Sequence, residues 1–136
     1  NSAVQRVRDL LPADEAEALL KRRFAIVQVW RPFGSPVEME PLGICDGRTI
    51  PEEGFILIER RYSYRTGEVY HISHNSAHRW IYFPKMTQEE ALIFKVFDSD
   101  PSAGIRFTAH SAFDDPTSSA DSKPRESIEM RAFAFF

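Results

Sequence analysis

A histidine and an Arg-x-Ser sequence near the end of the chain carry the clearest chemical signal. His110 ends one predicted strand, and Arg125 and Ser127 enter the last predicted strand, 15 residues further on. Residues i and i+2 of a strand point to the same side, so Arg125 and Ser127 are predicted to face one ligand together. A planar guanidinium with a hydroxyl beside it is well suited to bind a carboxylate.

The same Arg-x-Ser sequence also has a purely structural explanation. Arg125 can form an ion pair with Asp114 or Asp115 in the preceding loop, with Ser127 merely facing that pair. The spacing from a single histidine to Arg-x-Ser is a weak motif when it is taken alone. The residues by themselves therefore leave a ligand site and a loop ion pair both open.

Three further histidines do not complete a metal site by their spacing. A facial iron site uses two histidines and one carboxylate, and it leaves positions open for a keto acid such as 2-oxoglutarate. His71 and His74 lie three residues apart, which places side chains on one face only in a helix, and their context is strand or turn. Together with His78 they are expected to make local hydrogen bonds. Cys45 stands in an apolar stretch typical of a small core residue.

The composition is that of an ordinary globular domain. The chain has 136 residues, of which 43% are hydrophobic and 27% are charged, and this argues against disorder. A formal net charge of −3 gives no electrostatic support for a nucleic-acid partner. No apolar stretch approaches the ~18 residues of a membrane span. A single cysteine excludes an intramolecular disulfide, and we expect a cytoplasmic protein.

One N-terminal helix and a series of short strands must position these residues. The helix is predicted for residues 12–23, where acidic side chains come first and basic ones follow. A helical turn is predicted at 87–90 from its capping-box spacing. The predicted strands are 24–30, 41–45, 55–60, 68–73, 79–83, 91–97, 104–110 and 128–136. This pattern indicates a mainly β protein with a β-sandwich or jelly-roll fold.

Six segments, in order across nearly the whole chain, resemble one group of microbial oxygenases. The group includes the fungal gibberellin desaturase, fungal secondary-metabolite hydroxylases and a cephamycin-pathway protein. The segments are 29–32 (Val-Trp-Arg-Pro), 41–46 (Pro-Leu-Gly-Ile-Cys-Asp), 74–83 (His-Asn-Ser-Ala-His-Arg-Trp-Ile-Tyr-Phe), 95–99 (Lys-Val-Phe-Asp-Ser), 108–113 (Thr-Ala-His-Ser-Ala-Phe) and 125–131 (Arg-Glu-Ser-Ile-Glu-Met-Arg).

The resemblance implies a double-stranded β-helix, an Fe(II) ion, 2-oxoglutarate as cosubstrate and a small-molecule substrate of secondary metabolism. It implies that His110 is the second histidine of the metal site. It also implies that Arg125 and Ser127 hold the carboxylate of 2-oxoglutarate. Trp30 and Arg31 lie on one of the shared strands, where a pocket contact and a structural role are equally open.

One departure from this group is large. Its members are much longer, and they carry a His-x-Asp pair upstream of a helix like that at 12–23, whereas this chain has no His-x-Asp. We therefore expect residues 1–136 to be a single domain that forms the C-terminal part of a longer oxygenase. Because two of three metal ligands are missing, the chain by itself is expected to be inactive.

A partial jelly roll would leave strand edges and apolar faces uncovered. This favours self-association or pairing with a missing N-terminal half. Two functions of other classes also stay open: a non-catalytic jelly-roll binding module without a metal, and a carboxylate-binding role that uses Arg125 alone. A His-x-Asp pair encoded upstream would favour the oxygenase over both.

Overall fold

The computed structural model describes residues 2–64 and 66–136, and in this range two short helices precede eight strands. Helices α1 (Ser2–Leu10) and α2 (Ala13–Leu20) come first. The strands are β1 (Phe24–Pro32), β2 (Leu42–Cys45), β3 (Phe55–Arg61), β4 (Thr66–Ile72), β5 (Trp80–Ile81), β6 (Leu92–Asp98), β7 (His110–Ala112) and β8 (Ser127–Phe135). The prediction of a mainly β protein is confirmed.

The strands form two three-stranded sheets and one separate hairpin. In the β1 sheet, β1 lies between β6 and β8, and in the β2 sheet, β2 lies between β5 and β7. Within the described residues, strands β3 and β4 pair with each other and with no further strand. All these pairings are antiparallel. Strand β1 is flanked by a strand on each edge, and its inner-face residues Phe24, Gln28 and Trp30 are buried, whereas Val27 and Val29 on the other face are only partly buried.

The β1 and β2 sheets face each other across an apolar cluster. Trp30 of β1 is 3% exposed, and it belongs to a buried cluster with Leu42 of β2. The ring of Phe94 on β6 lies 5.0 Å from the ring of His110 on β7, centroid to centroid. The other members of this cluster are Val37, Met86 and Leu92. His110 and Trp30 therefore lie on the inner faces of the two sheets.

A second cluster attaches the helices to the other end of the β1 sheet. Val7 of α1 and Ala16 of α2 are completely buried, and they pack with Phe24 and Phe97. Isolated helices of this length are unstable in water, so this contact stabilises both of them. No helix in the described part of the chain is long and apolar enough to cross a membrane.

A buried carboxylate connects the end of β6 to the residue before β1. Asp98 has no exposed surface, and it accepts hydrogen bonds from Arg23 Nη2 at 2.8 Å and from Lys95 Nζ at 2.7 Å. Arg23 Nε and the backbone N–H of Asp100 donate to it at 3.2 and 3.0 Å. The Arg23 guanidinium, helped by the Lys95 ammonium, holds the pKa of Asp98 well below its usual range despite burial.

The structure has two N-terminal helices where one was predicted. Helix α2 lies within the predicted 12–23, but α1 was not predicted at all. Helix α1 is only nine residues long, and its packing through Val7 against α2 supplies stability that no local pattern shows.

The strand predicted at 104–110 was wrong for most of its length. Only Phe107 forms an isolated bridge, with Phe97, and the strand begins at His110. Arg106 instead binds back to the end of β6, because its Nε donates to the carbonyl oxygen of Asp98. The strand predicted at 79–83 is reduced to β5, whereas the predicted turn at 87–90 is present.

Candidate functional site

His110 lies at the start of β7, with its ring on the inner face of the β2 sheet. Its Nδ1 is 3.1 Å from the carbonyl oxygen of Thr108, and a carbonyl can only accept. Nδ1 is therefore the donor to Thr108, and in the neutral tautomer with that donor the free lone pair is on Nε2. Neutral imidazole with one nitrogen held by a backbone carbonyl is the usual form of a metal-binding histidine.

Arg125 lies two residues before β8, and its guanidinium covers the ring of Trp30. The distance from Arg125 Cζ to the ring centroid is 5.7 Å, within cation–π range. Its Nη1 donates to the carbonyl oxygen of Glu40, and its buried Nε has no hydrogen-bond partner among the described residues. Arg125 thus places a positive charge at the edge of the inner cluster with unsatisfied donor capacity.

Arg125 does not form the ion pair with Asp114 or Asp115 that would give it a purely structural role. Arg125 forms no ion pair with any residue in 2–64 or 66–136. The Asp115 carboxylate accepts instead from the backbone N–H and the hydroxyl of Thr117, at 2.9 and 2.7 Å. Those two bonds lower the pKa of Asp115. The charge of Arg125 is therefore available to an anion.

Ser127 is on the same side of β8 as the side chains that face Trp30. It is exposed, and it pairs with Pro32, while Glu129 pairs with Trp30 two positions further along. The period of two along a strand keeps both side chains on the inner face. The hydroxyl of Ser127 makes no hydrogen bond with any other described residue.

Arg31 does not join this group of residues. It follows Trp30 on β1, so it lies on the outer face of the sheet, and its Nη2 donates to the carbonyl oxygen of Gln88. The histidines at 71, 74 and 78 also lie elsewhere: His71 pairs with Ile56 in the separate hairpin, and His78 binds Asn75 through its backbone. Of the candidate residues, the structure brings Arg125 over Trp30 and places Ser127 on the same face of the β1 sheet, with His110 on the opposite sheet.

The described residues do not assemble a complete metal site. No group of three or more His, Cys, Asp or Glu side chains within 2–64 and 66–136 is arranged to hold a metal ion. A facial iron site needs three protein ligands, and His110 presents one imidazole nitrogen. The residues present thus fit the carboxylate of a keto acid, through the unsatisfied Arg125, but they do not fit an iron ion without further ligands.

A polar network on the inner face of the β1 sheet was missed by the sequence analysis. Gln28 of β1 has no exposed surface, and its Nε2 donates to Glu129 at 2.9 Å. Arg131 Nε donates to Gln28 Oε1 at 2.8 Å, and its Nη2 donates to Glu129 at 3.2 Å. The alternation that places Arg125 and Ser127 on one face extends to Glu129 and Arg131. This alternation is the sequence feature from which the network could have been predicted.

The strand order and the similarity to solved structures define the class of fold. The chain matches the structure of the iron and alpha-ketoglutarate-dependent endoperoxidase NvfI with a TM-score of 0.88 and 32% identity, covering 98% of this chain and 49% of that one. A second structure of that protein gives the same values, with 50% of its chain covered. The chain is therefore a portion of a jelly roll, as predicted.

Sequence comparison then identifies the family. A family model described as "Oxidoreductase/YMDC permease-like domain" matches residues 1–135, and the chain belongs to this family. Aspirochlorine biosynthesis protein N of Aspergillus oryzae is 36% identical over 98% of this chain and 57% of its own length.

Two further relatives carry names that describe a reaction. Hydroxylase/desaturase CTB9 of Cercospora beticola is 35% identical over 98% of this chain and 44% of its own length. Fe(II)/2-oxoglutarate-dependent dioxygenase nvfI of Aspergillus novofumigatus is 35% identical over 92% of this chain and 45% of its own. The chain spans about half the length of the curated relatives it matches, and the predicted resemblance to this group is confirmed.

Proposed function

We propose that this chain is the C-terminal part of an Fe(II)/2-oxoglutarate-dependent oxygenase, a hydroxylase or desaturase of small-molecule secondary metabolism. The observation that carries the proposal is Arg125, whose charge has no carboxylate partner and whose buried Nε has no acceptor among residues 2–64 and 66–136. The names of the relatives, a hydroxylase/desaturase and an Fe(II)/2-oxoglutarate-dependent dioxygenase, support the same reaction class.

In this proposal Arg125 and Ser127 bind the distal carboxylate of 2-oxoglutarate. Arg125 donates through its guanidinium edge, and Ser127 adds a hydroxyl from the same face of β8. The Trp30 ring holds the guanidinium plane in place and covers it from water, which strengthens its interaction with an anion.

His110 provides one metal ligand, through Nε2, on the sheet that faces Arg125. The remaining ligands come from sequence upstream of this chain, in keeping with its coverage of 44–63% of the lengths of the first relatives. When bound, Fe(II) and 2-oxoglutarate would together activate O2, the oxidant, for attack on an unactivated C–H bond. This chain's own residues orient the cosubstrate and exclude water around it.

We also propose that residues 1–136 fold as one domain and that the protein works in the cytoplasm. The buried Cys45 is a free thiol, which fits a reducing compartment. The substrate is a small molecule rather than a nucleic acid, since the formal net charge of −3 offers a polyanion no general attraction.

Anaerobic titration with Fe(II) and 2-oxoglutarate tests the proposal, with the visible metal-to-ligand charge-transfer band as the readout. We expect no band from the 136-residue chain, and a band from the longer polypeptide encoded with its upstream sequence. In that longer polypeptide, His110→Ala is expected to abolish the band. His71→Ala is the matched control, because His71 is an exposed strand histidine of the separate hairpin, and it is expected to leave the band intact.

Two outcomes would contradict this assignment. A band from the chain alone would mean that its own residues, or those of an oligomer, complete the iron site. Absence of a band from both polypeptides would favour the non-catalytic binding module over the oxygenase.

We propose that the outer face of the β1 sheet is a contact surface, for the upstream half of the protein or for a second copy. Ile93 is 70% exposed and Met130 is 61% exposed, and both pair with Val29 in one row across the sheet. Ile128 on the same face is 60% exposed. A contiguous apolar row of this kind is unfavourable in water and typical of a contact surface.

Replacing Ile93 by Lys is expected to reduce self-association of the 136-residue chain by at least about tenfold, because a charge in an apolar contact must be desolvated. Light scattering coupled to size-exclusion chromatography over a range of concentrations measures this. Leu57→Lys is the matched control, since Leu57 is 52% exposed on the separate hairpin. A compact monomer of the unmodified chain at all concentrations would contradict the expectation.

A further inference from the structure

In the network of Gln28, Glu129 and Arg131, a buried glutamine side chain holds a half-exposed ion pair in place. Gln28 has no exposed surface and uses both ends of its amide, one for each partner. The side chains of Glu129 and Arg131 are 50% and 56% exposed. Arg131 Nη1 has no hydrogen-bond partner among the described residues. The pair is therefore fixed on one side and open to a ligand on the other.

The network lies at the level of His110 within the jelly roll. Phe94, Gln28 and Arg131 form one row across β6, β1 and β8, and the Phe94 ring contacts the His110 ring at 5.0 Å. Arg125 precedes β8 by two residues and lies over Trp30, whereas Arg131 pairs with Gln28 within β8. The two arginines therefore occupy different positions along the inner face of the β1 sheet.

The two arginines differ in charge compensation. Arg125 has no carboxylate partner, so it suits an anion, whereas Glu129 neutralises Arg131. An anion at Arg131 would have to compete with Glu129, and a cation at Glu129 would have to compete with Arg131. A neutral group that both accepts and donates can bind to both side chains at once.

We propose that Glu129 and Arg131, held by Gln28, recognise a neutral hydroxyl or amide group of the small-molecule substrate. Arg131 donates a hydrogen bond to the oxygen of that group, and Glu129 accepts a hydrogen bond from its O–H or N–H. The apolar side chains of Phe94 and Trp30 lie on the same inner face of the β1 sheet, next to this pair. This inference rests on the proposed function and extends it, because it names the kind of group that fixes the substrate beside His110.

Arginine side-chain NMR on the longer polypeptide encoded with the upstream sequence tests the inference, with the Nε–Hε signals of Arg125, Arg131 and Arg61 assigned by substitution. The probes are cyclohexanol, its charged counterpart cyclohexanecarboxylate, and 2-oxoglutarate. We expect cyclohexanol to move the Arg131 signal and 2-oxoglutarate to move the Arg125 signal. Arg61 is the control, because its pair with Glu59 has the same i, i+2 arrangement on exposed β3, at 3.0 Å.

Glu129→Gln separates recognition from a merely structural ion pair. This variant is expected to weaken cyclohexanol binding about fivefold to tenfold, since a charged acceptor is replaced by a weaker neutral amide oxygen, and to strengthen cyclohexanecarboxylate binding. The matched variant Glu59→Gln is expected to change neither affinity at Arg131.

The Arg131 signal tests the recognition of a neutral substrate group, and the Arg125 signal tests the carboxylate clamp. Absence of an Arg131 shift with cyclohexanol, equal shifts at Arg131 and Arg61, or an unchanged preference in Glu129→Gln would overturn the inference. Failure of 2-oxoglutarate to move the Arg125 signal would contradict the clamp in the proposed function, whatever happens at Arg131.

Discussion

Replacing Arg125 by Gln is expected to weaken 2-oxoglutarate binding by about 10- to 100-fold, the range for loss of a charge-assisted bidentate contact. Glutamine retains a donor of similar polarity but loses the charge and the planar fork. Arg125→Lys keeps the charge without the fork, so it is expected to recover only part of the affinity. Calorimetry under anaerobic conditions, on the longer polypeptide with its complete site, measures these dissociation constants.

Arg31→Gln is the matched control for Arg125→Gln. Each arginine donates to one backbone carbonyl, Arg31 to Gln88 and Arg125 to Glu40, but Arg31 lies on the outer face of the β1 sheet. Removing the Arg31 charge tests whether the loss of one positive charge from the protein is enough to weaken 2-oxoglutarate binding. Equal losses of affinity in the two variants would argue against a clamp at Arg125, and so would an unaffected Arg125→Gln.

Replacing Asp98 by Asn is expected to lower the free energy of unfolding by roughly 2–3 kcal/mol, somewhat below the range for breaking a fully buried ion pair. Asp98 is completely buried, whereas the side chains of Arg23 and Lys95 are 45% and 31% exposed, so water compensates part of the loss. Urea denaturation at neutral pH measures the change. Glu17→Gln removes the exposed ion pair with Arg8 and is expected to have little effect.

The same carboxylate gives the chain a pH-dependent stability of predictable sign. The Arg23 guanidinium lowers the pKa of folded Asp98 below its unfolded value of about 3.9. Its contribution is therefore present above pH ~4 and is lost as the pH falls through the folded pKa. The unmodified chain should lose stability more steeply on acidification than Asp98→Asn. Parallel acid profiles of the two proteins would contradict the role given to Asp98.

Local patterns predicted most of the elements that position the site. The apolar run at 24–30 is the core of β1, and Glu90 accepts from the backbone N–H of Thr87 at 2.9 Å, as the capping-box spacing predicts. These features depend on neighbours in sequence, so one chain carries enough information. Strand boundaries near 104–110 failed because this segment changes partner: the carbonyl oxygen of Arg106 accepts from Asp98 at the end of β6, and that of Ala109 accepts from Cys45 at the end of β2.

The candidate site was predictable only as a list of side chains with a common face. The spacing of Arg125 and Ser127 gave their shared side, but not the Trp30 ring beneath the guanidinium. Gln28 looked like one polar residue in an apolar strand. Its burial follows from Glu129 and Arg131, which lie 101 and 103 residues away in the chain.

The amino-acid sequence alone determined the β-rich class, the central strand β1, the Arg-x-Ser face and the relationship to the oxygenases, because periodicity, turn chemistry and motif order are local properties of a chain. The pairing of β1 with β6 and β8 settled which of those side chains meet. It placed Arg31 outside and Trp30 inside, buried Asp98 between two cations, and set Arg131 level with His110. Strand register decides such contacts, since one residue of slip would send each side chain to the opposite face.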